Sequence, residues 1–297
     1  MTTPTSTPPR LIDFHSHWGT AKGWKGSPFE DREAREAVRD YFKWDMTFVS
    51  EEEQAAQFRQ ANAKVMLDLA YTYKMDVGAL RDQHDYAFDY TREYSDVVLG
   101  NWIGIDPTRP DHVKELERCL GDGPGLVGMA LHPFSAAGAP DQPAWEKCLN
   151  LCVEARRPVL MLVGMSANGA GMRGGMGLEL DSCHPRHVDR IAARYPDLDV
   201  IAARVAWPWQ SEMIAIALHK GNVWLELHGW SPRYYPEELK REIGRRLRKK
   251  VFFAADYPML SHERLVRDWR EQGFPPDVLD DVFHGNAESF LASIGVC

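Results

Sequence analysis

The sequence predicts an α/β protein of the (β/α)8 TIM-barrel class, folded as a single domain with an inserted segment after strand one. Three observations carry that prediction. Short apolar runs alternate with amphipathic segments from Leu11 onward, the pattern of a parallel sheet covered by helices. The chain has 297 residues, 44% of them hydrophobic, which suits one large continuous core. Polar residues gather where the apolar runs stop, and in a barrel of this kind chemistry sits at the C-terminal ends of the strands.

The first run, Leu11 to Trp18, ends in His15 and His17. Side chains two apart on a strand share a face, so these histidines can share one partner, a metal ion or an acid. Residues 1–10 ahead of it are Thr/Pro-rich without an apolar stretch and read as a disordered lead-in, leaving 11–297 as the domain. Gly19 to Glu53 is too long for a plain connection and reads as a lid with short helices of its own.

The remaining strands follow as Ala63–Leu69, Val97–Ile105, Leu126–Leu131, Pro158–Val163, Leu198–Ala203, Val223–Leu227 and Val251–Ala255. Between them, helices are expected at Glu51–Ala61, Tyr86–Tyr94, His112–Leu120, Trp145–Ala155, Pro185–Tyr195 and Pro236–Lys249. Ser261–Gln272, Pro276–Phe283 and Asn286–Ser293 close the chain. The strand-end residues so collected are His15, His17, His132, Arg204, His228 and Asp256. Trp18, Tyr71, Tyr73 and Trp207 are candidate walls for a flat ring.

A formal charge of −8 argues against nucleic acid as the main partner. No run approaches the ~18 apolar residues a membrane span needs. The five cysteines are odd in number and form no C-x-x-C pair, so a reducing cytoplasmic setting is expected. Gly169-Ala170-Gly171-Met172-Arg173-Gly174 matches a dinucleotide fingerprint. No helix begins directly after it, so it reads as a Gly/Met-rich loop over the barrel mouth, and no organic cofactor is expected.

Several blocks in register resemble the amidohydrolase superfamily and, within it, the amidohydrolase 2 group of decarboxylases and pyrone-dicarboxylate lactonase. They are I-D-F-H-S-H (12 to 17), G-L-V-G-M-A-L-H-P (125 to 133), R-P-V-L-M-L-V-G (157 to 164), Y-P-D-L-D-V-I-A-A-R (195 to 204), N-V-W-L-E-L-H-G-W (222 to 230), F-F-A-A-D-Y-P (252 to 258) and H-G-N-A-E-S-F-L (284 to 291). The resemblance implies a divalent metal, zinc first among candidates, held by His15, His17 and Asp256. The usual histidine ligand of strand five is replaced by Leu162, and the usual catalytic histidine of strand six by Arg204. A leucine cannot ligate and a fixed guanidinium repels a metal, so affinity should fall unless His132 or His228 compensates.

The first functional reading is a hydrolase of a small carboxylate-bearing lactone, ester or amide. There Asp256, oriented by His15 and His17, acts as general base, Arg204 binds the anion, and His228 returns a ring nitrogen to the catalytic set. Arg204, His132, Trp18 and Tyr71 form its substrate-binding set. The alternative is a metal-dependent non-oxidative decarboxylase of an aromatic or muconate-type acid. A second alternative is a catalytically idle barrel kept for binding. The expected partner is a small anionic molecule, with homo-oligomers suggested by the resemblance alone.

Overall fold

A computed structural model describes residues 8–27, 30–44, 47–69, 71–122, 125–132 and 137–296. Most of the expected lead-in therefore lies outside the described residues, as does Pro133 beside His132.

Eight parallel strands run in sequence order: β1 Leu11–Ser16, β2 Ala63–Leu69, β3 Val98–Ile103, β4 Leu126–Leu131, β5 Val159–Leu162, β6 Val200–Ala203, β7 Val223–Glu226 and β8 Val251–Phe252. The sheet closes on itself through Phe14 N to Phe253 O (2.9 Å), Asp256 N to His15 O (3.0 Å) and His17 N to Tyr257 O (2.6 Å). The eighth strand was expected to run to Ala255, and its ladder stops at Phe252. Beyond that point the Ala255 amide is taken by the Asp13 side chain rather than by a strand.

The helices are α1 Arg32–Phe42, α2 Glu51–Gln60, α3 Val77–Glu93, α4 Pro110–Asp122, α5 Glu146–Glu154, α6 Arg186–Arg194, α7 Gln210–His219, α8 Glu237–Ile243, α9 His262–Arg270, α10 Pro276–Asp280 and α11 Asn286–Ser293. The segment after β1 holds α1, capped by Asp31 accepting from Ala34 N, followed by a complete capping box, Ser50 with Glu53, that opens α2. The helix expected over 86–94 begins nine residues earlier, because Asp76 caps it there. The one expected over 236–249 ends at Ile243, where the chain passes into turns. Sequence periodicity gives no sign of α7, whose Met213, Ile214, Ile216 and Ala217 are buried without forming a narrow stripe.

Inward residues fill the lower barrel. Phe14 stacks on Phe252 (centroids 4.0 Å), and Phe290 of α11 plugs the bottom against both. Alternate strand residues face the helices and form the larger outer core. At about 1.5–3 kcal/mol per buried large side chain, this packing fixes the frame on which the polar ends are held.

β1 departs from plain alternation. Between Asp13 and Ser16 it carries one more residue than β2, a bulge that places Asp13 and Ser16 on one side, bonded to each other (2.5 Å). The Phe14 carbonyl there accepts the Trp102 indole N–H at 3.0 Å.

Candidate active site

Beyond the bulge His15 and His17 stand together at the top of the barrel, ring centroids 5.1 Å apart. His15 is wholly buried. Its Nδ1 lies 2.9 Å from Glu226 Oε1 and its Nε2 lies 3.5 Å from Asp68 Oδ2, neither contact in line for a hydrogen bond. Burial disfavours its charge, but Glu226, Asp68 and Asp256 together raise its pKa to about 9, so a metal ligated by this ring would have to displace a proton. His17 Nε2 is 3.2 Å from Asp256 Oδ1, so residues from the two ends of the chain do converge.

Two acids in this cluster were not singled out from the sequence. Asp68 follows the inward Met66 by two and so points inward on β2, and Glu226 does the same after Trp224 on β7. Both stand inside apolar runs, and a charge in such a run is buried only with partners; that was the available signal. Trp24 is a third: its ring lies 5.3 Å from that of His17.

Glu226 is buried and yet held well below the usual carboxylate range, since His228 and His15 outweigh the cost of burial. His228 donates Nδ1–H to Glu226 Oε1 (2.6 Å) and accepts at Nε2 from Arg204 Nε (2.9 Å), which fixes a neutral tautomer. Burial first, then His15 and Arg204, hold its pKa near 4. Both ring nitrogens are committed, so the expected compensation of the metal set by His228 is corrected: its ring supports Arg204 instead.

His132, at the end of β4, keeps Nε2 unpaired and 3.9 Å from Asp68 Oδ1. Burial dominates its pKa, lowered to about 4, so its nitrogen is a free base. Tyr73 and Tyr71 lie nearly parallel to its ring at 5.6 and 6.4 Å, and the Tyr71 hydroxyl reaches Asn168 of the glycine-rich loop (3.0 Å). Trp18 is placed differently from expectation. Its ring is buried against Tyr86 and Tyr90, with Gly23 making room, and it is Trp24 that lies beside His17.

Leu162 packs in the inner apolar cluster and offers no donor atom. Several buried atoms without a hydrogen-bond partner gather instead around Asp68 and His15: both ring nitrogens of His15, both oxygens of Asp68 and His132 Nε2, with Asp256 Oδ1 beside His17. Ligand atoms from His15, His17 and Asp68 lie within 4.8 Å of one another. An unpaired buried polar atom costs about 1–3 kcal/mol, and a divalent cation would satisfy several at once. The residues therefore fit a metal, with Asp68 supplying the donor that Leu162 lacks and the Glu226 carboxylate adding negative charge beside His15. His15, Glu226 and His228 are equally close together, but there Glu226 and His228 already bond each other and both His228 nitrogens are taken.

Asp256 and Arg204 adopt positive φ (60° and 86°), their amides bonded to His15 O and Glu226 O. Such strain, about 1–3 kcal/mol per residue, survives where the surroundings impose it. Burial would raise the Asp256 pKa, but His228, His17 and Arg204 bring it below the ordinary value, so it is ionised. Gly229 keeps space for it: a Cβ there would stand 3.0 Å from Asp256 Oδ2.

Above lies a cavity of about 580 Å³ lined by Asp256 and Arg204, by Tyr41 and Phe42 of α1, and by Lys43 and Arg264. Its cations outnumber its acids in a chain of net charge −8, which suits an anionic guest. The glycine-rich loop contains several left-handed glycines, and no α-helix begins until Arg186, so the fingerprint does not open a dinucleotide fold. Among the described residues no helix is long and apolar enough to cross a membrane.

The family model described as Amidohydrolase matches residues 12–292. None of the curated proteins matches the sequence. Among solved structures, an uncharacterised TIM-barrel protein of Bordetella bronchiseptica is similar at TM-score 0.73 and 20% identity, over 97% of this chain and 100% of that one. The 5-carboxyvanillate decarboxylase of Sphingomonas paucimobilis matches at TM-score 0.66 and 15% identity, over 95% and 99%. The enzyme of the same name from Novosphingobium aromaticivorans, solved with manganese, matches at TM-score 0.70 and 15% identity, over 98% of each chain.

Proposed function

Since the chain belongs to the amidohydrolase family, we propose that it is a non-oxidative decarboxylase of a small hydroxylated aromatic acid, using a divalent metal held by His15, His17 and Asp68 beside Asp256. The carrying observation is the convergence of unpaired buried ligand atoms, of which Asp256 also lines a cavity rich in cations. On the sequence the hydrolase reading ranks first because two departures, Leu162 and Arg204, both weaken a metal site. Asp68 offsets the first of these, and the neighbours solved as decarboxylases lean the same way.

A metal in that set would supply positive charge near the substrate's hydroxyl oxygen. Asp256, ionised at rest, takes the hydroxyl proton and delivers it to the ring carbon bearing the carboxylate. The bond to the carboxyl carbon then breaks, its electron pair restores the ring, carbon dioxide leaves, and the phenolate regains a proton from water. Arg204 suits an anionic group that does not depart, because clamping the leaving carboxylate would stabilise the ground state. Tyr41, Phe42, Trp44 and Trp230 line the cavity and offer flat faces for the ring.

One observation favours hydrolysis as the second reading: an ionised carboxylate in contact with His17 can activate water without a metal, with Arg204 facing the oxyanion. Carbon dioxide release from a panel of hydroxybenzoates and hydroxyisophthalates, the latter keeping one carboxylate for Arg204, with manganese or zinc, set beside hydrolysis of a lactone panel with chelator, separates the two. Metal-dependent release supports decarboxylation. Chelator-insensitive lactone turnover overturns it in favour of hydrolysis, and carboxylate binding without turnover in either panel overturns both in favour of the idle barrel.

A further inference from the structure

We propose that Glu226 and His228 are positioning residues that turn Arg204 into a fixed carboxylate clamp. The inference rests on reading Arg204 as the anion-binding residue, and it assigns the work of aiming that residue to two groups beneath it.

The argument starts from what a long side chain needs. An arginine free to rotate loses rotamer entropy when it binds, about 2 kcal/mol for the whole chain. Held in advance, it does not. Here Arg204 Nε donates to His228 Nε2 at 2.9 Å and Nη1 donates to the Met165 carbonyl at 3.2 Å. Among the described residues nothing bonds Nη2, no carboxylate lies within ion-pair distance of the guanidinium, and the residue lines the cavity. Two of the three guanidinium nitrogens are therefore anchored and the third, Nη2, is presented.

His228 can accept from a cation only if its proton is on the other nitrogen. Glu226 ensures this by taking Nδ1–H at 2.6 Å while its second oxygen accepts the His228 backbone N–H at 3.0 Å. His228 is wholly buried and lies stacked on His15 (3.8 Å), so neither ring can swing. The backbone agrees: the Arg204 amide donates to the Glu226 carbonyl at 2.8 Å, pinning the residue at its unusual φ. The chain Glu226–His228–Arg204 thus runs from a buried acid to an exposed edge, every link a hydrogen bond.

The test is calorimetric binding of benzoate and 2,6-dihydroxybenzoate to the purified protein, with benzamide as the uncharged control. His228→Leu should weaken both acids at least about tenfold, as expected for losing a hydrogen bond to a charged group, and leave benzamide unchanged. His228→Gln, whose amide can donate to Glu226 and accept from Arg204, should retain most of the affinity and guards against simple misfolding. In an Arg204→Gln background, His228→Leu should have no further effect. Undiminished acid binding in His228→Leu, an equal loss in the Arg204→Gln background, or no carboxylate affinity in the unaltered protein would each overturn the proposal. Turnover is not read, so failure of the decarboxylase reading leaves this result standing.

Discussion

Asp13 Oδ1 accepts the backbone N–H of Ala255 at 3.0 Å, joining positions 242 apart in the sequence at the seam where the barrel closes. The same oxygen takes the amide of His15 at 3.2 Å, and Oδ2 takes Ser16 Oγ and His262 Nε2 at 2.5 and 2.8 Å. One carboxylate therefore sets the distance between the strand ends bearing His15 and Asp256. Asp13→Asn places an amide NH2 before two donors, and a loss of about 1–3 kcal/mol is expected from the groups left unpaired. Chemical denaturation measures it; a midpoint equal to that of the unaltered protein would remove Asp13 from this role.

The metal proposal makes Asp68 a sharper discriminator than His228. Asp68→Ala should lower manganese or zinc affinity by more than the 10–100-fold typical of a supporting residue, while His228→Gln should change it little. Metal content after dialysis, measured by elemental analysis, gives the comparison. Equal retention by Asp68→Ala and the unaltered protein would return the ligand set to His15, His17 and Asp256.

Much of this site was legible because strands end abruptly: apolar runs stopping at His15, His17, His132, Arg204, His228 and Asp256 mark the mouth of a parallel barrel. What was not legible lay inside the runs. Asp68 and Glu226 become visible only when each strand is split into its two faces, which separates a buried acid from its apolar neighbours. The β1 bulge has no signature in residue types, and it decides that Asp13 serves the seam while His15 serves the site. Trp18 and Trp24 are alike in composition. Which of them faces His17 is set by Gly23, whose absent Cβ would collide with the Trp18 ring.

Asp256→Asn keeps the shape of the side chain and removes its ability to take a proton. Turnover on whichever panel proves active should fall by about 10²–10⁴-fold, the usual contribution of a general acid–base group. Binding of a carboxylate at Arg204 should persist or tighten, because a neighbouring negative charge is gone. Parallel kinetics and calorimetry separate the effects. A variant that loses binding and turnover together would show Asp256 to be a structural support.

Away from the site, Glu115 of α4 gives a pH prediction. Its side chain is buried, and burial alone would raise its pKa, but His84, Arg118 and Arg81 (3.0, 2.6 and 3.1 Å) hold it well below the usual carboxylate range. A carboxylate whose folded value lies below its unfolded one, about 4.3, contributes stability that is complete above the unfolded value and is lost as pH falls through the folded value. Unfolding free energy should therefore decline below about pH 4.3 with a share due to Glu115. Glu115→Gln should cost about 1–3 kcal/mol at pH 7, since His84 and Arg118 lose the charge and one of their two buried acceptor oxygens, and should flatten the acid limb. Denaturation curves from pH 3 to 7 decide the matter: parallel limbs for the two proteins would show that the buried carboxylate titrates alike in both states.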